Sequence, residues 1–99
     1  MFEIEYAESV EQDLARLRAY HRKAILDAID KHLAHEPLVE TRRRKPLPGL
    51  TPPWVHVPPV WELRVGEYRV FYDVDEALVI VRVRAVRHKK AHKVTKEIQ

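Results

Sequence analysis

The chain has 99 residues with a formal net charge of +3, split into five basic and nine acidic residues over 1–41 and thirteen basic and six acidic over 42–99, a polarity that points to a polyanionic partner. Leu, Ile, Val and Phe supply 29 residues and Gly only two, which excludes a disordered composition, and the lack of Cys excludes a disulfide framework, a thiolate zinc site and a thiol nucleophile. No apolar run approaches the roughly 20 residues of a membrane span, and the acidic start Met1–Glu5 is unlike a secretory signal, so a cytoplasmic protein without membrane contact is expected.

Phe2, Ile4 and Tyr6 alternate with Glu3 and Glu5, the period of a half-buried strand. Ser9 with Gln12 three residues on forms a capping box, and Val10, Leu14 and Leu17 follow at helical spacing. A second helix is expected from about Arg22 to His35, with Ile25, Leu26, Ile29 and Leu33 as its apolar stripe, a break near Tyr20-His21 before it and Pro37 ending it. Tyr20 is expected between the two helices. All seven prolines fall within 37–60, along with Arg42, Arg43, Arg44 and Lys45. That stretch reads as a long ordered loop without helix, inside one domain spanning 1–99.

Beyond it, Trp61, Leu63 and Val65 alternate with Glu62 and Arg64, and Tyr68, Val70, Tyr72 and Val74 alternate with Arg69, Phe71 and Asp73. Gly66-Glu67 suits a two-residue type II′ hairpin turn, and Asp75-Glu76 a second tight turn into a last strand whose Val79, Val81 and Val83 face inward. The fold class expected is α+β: an N-terminal strand, a helical hairpin and an antiparallel three-stranded meander, with the helices on one face of a small twisted sheet.

This pairing sets Arg64 opposite Arg69, and Arg69 opposite Arg82, on the face away from the helices. Like charges placed directly opposite cost about 0.2–1 kcal/mol per pair. An anion bound between them would relieve that cost, and the planar guanidinium fork suits phosphate; a plain solvated arginine face is the competing reading of the same spacing. His88 and His92, in the basic tail with Lys89, Lys90 and Lys93, could add acid/base chemistry beside the row, although a solvated tail is the expectation for His92. His32 and His35 lack a third ligand at a compelling spacing, so no metal site or cofactor is expected. Trp61 and Tyr68 are assigned to the core, and Trp54 either caps the core or stacks on a base.

The run Trp61-Glu62-Leu63-Arg64-Val65-Gly66-Glu67-Tyr68-Arg69-Val70-Phe71-Tyr72 resembles the signature of the RelE/ParE superfamily of type II toxins. Arg44-Lys45-Pro46-Leu47 and Arg84-Ala85-Val86-Arg87-His88-Lys89 extend the resemblance over nearly the whole chain. It implies a toxin acting as a ribosome-dependent mRNA endonuclease, neutralised by a cognate antitoxin, with ribosome and mRNA as partners and operator DNA bound through the toxin–antitoxin complex. It also implies Arg64, Arg69 and Lys89 as catalytic positions, with His88 beside them. Arg42, Arg43, Arg44, Lys45, Arg82, Arg84, Arg87, Lys90, His92 and Lys93 would hold nucleic acid. The sequence departs from the pattern at Glu62, where the best-known members carry lysine, and at Thr95, about where they carry a tail tyrosine. Both departures keep open a ParE-like alternative, a gyrase inhibitor that cleaves nothing, or a degenerate member that only binds antitoxin.

Overall fold

The structure is a computed structural model that describes residues 1–89. Its elements are β1 (Glu3–Tyr6), α1 (Glu8–Ala15), α2 (Ala19–Leu33), β2 (Arg44–Leu47), β3 (Val60–Val65), β4 (Tyr68–Asp75) and β5 (Ile80–His88). The strands form one five-stranded sheet in the order β1-β5-β4-β3-β2. The meander β3–β4–β5 is its antiparallel centre, β1 pairs parallel with β5, and β2 adds an antiparallel edge to β3. The α+β class holds, and the sheet gains one strand, from within the proline-rich loop. Pro46 lies in that strand, where an edge position tolerates the missing donor.

Both helices cover one sheet face. Val10 and Leu14 from α1, and Ile25, Ile29 and Leu33 from α2, meet Trp61, Leu63, Val70, Tyr72, Val81, Val83 and Val86. Burial of such side chains stabilises the fold by about 1.5–3 kcal/mol each. A second, smaller cluster lies on the opposite face, where Val60, Phe71 and Ala85 are covered by Leu47, Leu50 and Trp54 of the proline loop.

Helix boundaries differ from the cap signals in the sequence. The Ala7 N–H donates to the Val83 carbonyl at 2.9 Å, which fixes where the chain leaves the sheet. α1 therefore begins at Glu8, with Ala7 at the N-cap position and no side-chain cap, so Ser9 is a helical residue. Glu8 and Glu11 in the first turn instead offset the positive end of the helix dipole. α2 starts at Ala19, so the break falls at 16–18, and Tyr20 is 68% exposed with its ring against His21 rather than between the helices. α2 ends at Leu33, before Pro37. Its C-terminal end receives the Arg44 guanidinium, which donates to the His32 carbonyl, a favourable site for a cation.

Candidate nucleic-acid interface

The β3–β4 hairpin forms as its alternation dictates. Gly66 takes φ +57 at the first turn position, and Val65 pairs with Tyr68 and Arg64 with Arg69. The second turn is longer than two residues: Asp75 pairs with Ile80, and Glu76–Val79 lie between them. The Asp75 carboxylate accepts the Leu78 N–H at 3.0 Å, and Val79 sits at φ +57 on the exposed turn instead of facing inward. A bulge follows, since Phe71 pairs with Ala85 while Tyr72 pairs with Val83, which leaves Arg84 as the extra residue. Both changes move the register, so Arg69 lies opposite Arg87, and Arg82 lies opposite Asp73. The expected Arg69–Arg82 pair is therefore corrected to Arg69–Arg87.

The arginine row gains a member at its other end. Arg44 pairs with Leu63, and the Arg64 N–H donates to the Arg43 carbonyl at 2.8 Å, which places Arg43 beside Arg64. Thr41 fixes this approach: its hydroxyl accepts the Arg43 and Arg44 N–H groups at 3.1 Å, and its own N–H donates to the Arg44 carbonyl. A threonine immediately before the basic run is the sequence signal for that role. Arg43, Arg64, Arg69 and Arg87 thus follow one another across four neighbouring chain segments, on the face away from the helices. Arg42, Arg43, Arg64 and Gly66 line an open cleft of about 410 Å³ at one end of this row.

The guanidinium groups differ in what they hold. Among the described residues, the Arg42, Arg43 and Arg64 side chains make no ion pair, and all three are exposed. Arg69 is 8% exposed; its Nη1 donates to the Gly66 and Tyr68 carbonyls at 2.9 Å, and its Nε lies 3.7 Å from Glu62. Burial draws its pKa below the ordinary arginine value, while Glu62 opposes that shift and Arg64 adds to it. Arg87 reaches the Asp13 carboxylate at 3.0 Å and stands 5.4 Å from the Trp54 ring centroid. Trp54 also meets Phe71, so it caps the small cluster.

Several expected ligands of nucleic acid are committed elsewhere. Arg44 is buried against the end of α2, so its charge is turned to the helix layer. Arg84 donates two hydrogen bonds to Asp73, and Arg82 pairs with Glu5 and Asp75. Lys45 lies 3.7 Å from Glu62 with its side chain about half exposed. His88 pairs with Tyr68 in the ladder, its ring 5.1 Å from the tyrosine ring, which in turn meets His21 on the helix side. Strand alternation therefore separates His88 from the arginine row, and Glu67 holds its ring at 3.2 Å. The Lys89 N–H donates to the Glu67 carbonyl, closing the strand against the hairpin turn. Lys90, His92 and Lys93 lie outside the described residues. His32 is half-buried and its pKa is lowered by burial, then by Arg43, Lys31 and Arg44; among the described residues no group of His, Asp or Glu could hold a metal.

Preorganised cations beside apolar, partly dry structure are the arrangement that suits a phosphate and any charge that develops on it. The family model for the ParE toxin of the type II toxin-antitoxin system, parDE, matches residues 4–92. No curated protein matches the chain in sequence. Among solved structures, the archaeal RelE–RelB complex from Pyrococcus horikoshii is similar at a TM-score of 0.70 and 20% identity, over 89% of this chain and 94% of that one. A RelBE toxin-antitoxin complex from Mycobacterium tuberculosis gives 0.69 and 24%, over 89% and 98%. The isolated RelE toxin of E. coli gives 0.63 and 16%, over 98% and 94%. At these identities the likeness is one of fold.

Proposed function

The chain belongs to the ParE toxin family of type II toxin-antitoxin systems, within the RelE/ParE superfamily, and from that premise we propose that it arrests growth by cleaving mRNA on the ribosome. A cognate antitoxin restrains it, a reading supported by the similar chains found in toxin-antitoxin complexes, and the pair binds operator DNA. The observation that carries the reading is the row Arg43–Arg64–Arg69–Arg87, with an open cleft at its end lined by the exposed Arg42, Arg43 and Arg64.

Cleavage needs no cofactor. The 2′-oxygen of the RNA loses its proton and bonds to the adjacent phosphorus, the P–O5′ bond breaks, and the departing oxygen takes up a proton. A cyclic phosphate and a 5′-hydroxyl result. The phosphorus centre gains negative charge on the way, and fixed guanidinium donors stabilise that charge more than the ground state. Arg64 and Arg69 are the groups assigned to this work. One placement favours the second reading, a gyrase inhibitor without nuclease chemistry: none of the described histidines lines the cleft, and His88 faces the other way.

Induced expression separates the two. On the first reading, mRNA 5′ ends accumulate within translated frames only while ribosomes translate, and Arg69→Ala lowers their rate of appearance by about 10²–10³ and abolishes growth arrest. Arrest that survives Arg64→Ala/Arg69→Ala and follows loss of DNA supercoiling would establish the gyrase reading instead.

A further inference from the structure

A row of like charges repels itself unless an anion lies among them, and the fold supplies one. Glu62 stands on β3 two residues before Arg64, on the same face of the sheet. It is 3% exposed, with Oε1 3.7 Å from Arg69 Nε and Oε2 3.7 Å from Lys45 Nζ. Of the other carboxylates near this face, Asp73 is held by Arg84 and the Val57 N–H, and Asp13 pairs with Arg87 at the far end of the row, which leaves Glu62 as the carboxylate beside Arg69 among the described residues. We propose that Glu62 is a resident counter-anion, which positions Arg69 before nucleic acid binds and gives up its Nε edge to a backbone phosphate when it does. The inference rests on the reading of the arginine face as a nucleic-acid surface, and it makes Glu62 a positioning residue.

The geometry favours an exchange. A guanidinium has five N–H donors. Nη1 is committed to the carbonyls of Gly66 and Tyr68, which anchors the group to the hairpin turn. The edge formed by Nε and Nη2 is the one that can take two phosphate oxygens side by side. Glu62 sits at that edge at a distance that is an ion pair and too long for a hydrogen bond. It therefore neutralises charge without saturating the Nε–H. When a phosphate takes the edge, Glu62 still faces Lys45, whose side chain is over half exposed and free to close on it. The buried carboxylate is thus compensated in both states, which a buried charge requires.

Binding of a short oligouridylate to the full chain at several salt concentrations tests this. Glu62→Gln removes the competing charge, so affinity at low salt should rise by about tenfold. The slope of log K against log salt should steepen by about 0.7, because Lys45, which closes on Glu62 in the bound form of the unmodified chain, is then left to meet one further phosphate of the single strand. Glu62→Asp keeps the charge and should bind as the unmodified chain does. A folded Glu62→Gln chain that binds with the original affinity and slope overturns the inference alone. Absence of oligouridylate binding by every form overturns the nucleic-acid reading of the face with it. Should Glu62→Gln fail to fold, the Arg69 Nε–H resonance of the unmodified chain serves: it should shift along the binding isotherm, and a resonance that stays fixed at saturation refutes the exchange.

Discussion

Tyr72 shows how much a single polar atom contributes to this fold. Its side chain is fully buried on the helix side of β4, and its hydroxyl donates to the Pro37 carbonyl at 2.6 Å. The bond ties the sheet to the segment in which the chain leaves α2. Tyr72→Phe leaves that carbonyl without its partner and should cost about 1–3 kcal/mol in urea unfolding. Burial raises the hydroxyl pKa well above its ordinary value of 10.0, with Arg44 opposing the shift. A raised folded-state pKa means that the contribution is complete below the unfolded-state pKa. Above it the unfolded chain ionises first, so stability falls as pH rises past about 10. Unfolding midpoints measured across that range should drop for the natural chain, and drop less for Tyr72→Phe.

Among the elements, the bulge in β5 decides the most. Its extra residue, Arg84, donates to both oxygens of Asp73 at 2.8 and 3.2 Å, and Asp73 also accepts the Val57 N–H at 3.1 Å. Asp73 is 1% exposed, so the bulge, the central strand and the proline loop are joined through one buried carboxylate. Asp73→Asn leaves Arg84 without its counter-charge and should cost about 3–5 kcal/mol; the Val57 amide should lose hydrogen-exchange protection ahead of the β3–β4 amides. The sequence makes the hairpin legible because strict alternation and Gly66 specify its register locally, and Arg64 opposite Arg69 follows. Register beyond Tyr72 is not legible in the same way. No Gly or Pro marks the bulge, and the turn after β4 places Val79, a β-branched residue, at positive φ, which local preference disfavours. Long-range pairing with β1 accounts for that turn, since the Glu3 N–H donates to the Val79 carbonyl. The start of α1 departs from its cap signal for the same reason: Ala7 is fixed by a bond to β5, which outweighs the cap offered by Ser9.

At the scale of the whole molecule, the uneven charge of the sequence becomes two faces. The acidic first 41 residues supply β1 and both helices, and the basic remainder supplies the four strands whose far side carries the arginine row. Such an arrangement sets folding against binding. Arg64 and Arg69 face each other directly, and a like-charged cross-strand pair costs about 0.2–1 kcal/mol. Arg42, Arg43 and Arg64 are exposed and make no ion pair among the described residues, so their removal forfeits little packing. Replacing all three with Gln should leave the urea midpoint unchanged or raise it, the Arg64–Arg69 repulsion being the interaction that disappears. The same variant should bind single-stranded RNA more weakly, and its salt slope should flatten by about 0.7 for each phosphate no longer engaged. A variant less stable than the natural chain would show that these arginines support the fold. Unchanged RNA affinity would place the binding surface away from the cleft. Gain in stability joined to loss of affinity is the signature of charges retained for a polyanion at the expense of the folded state.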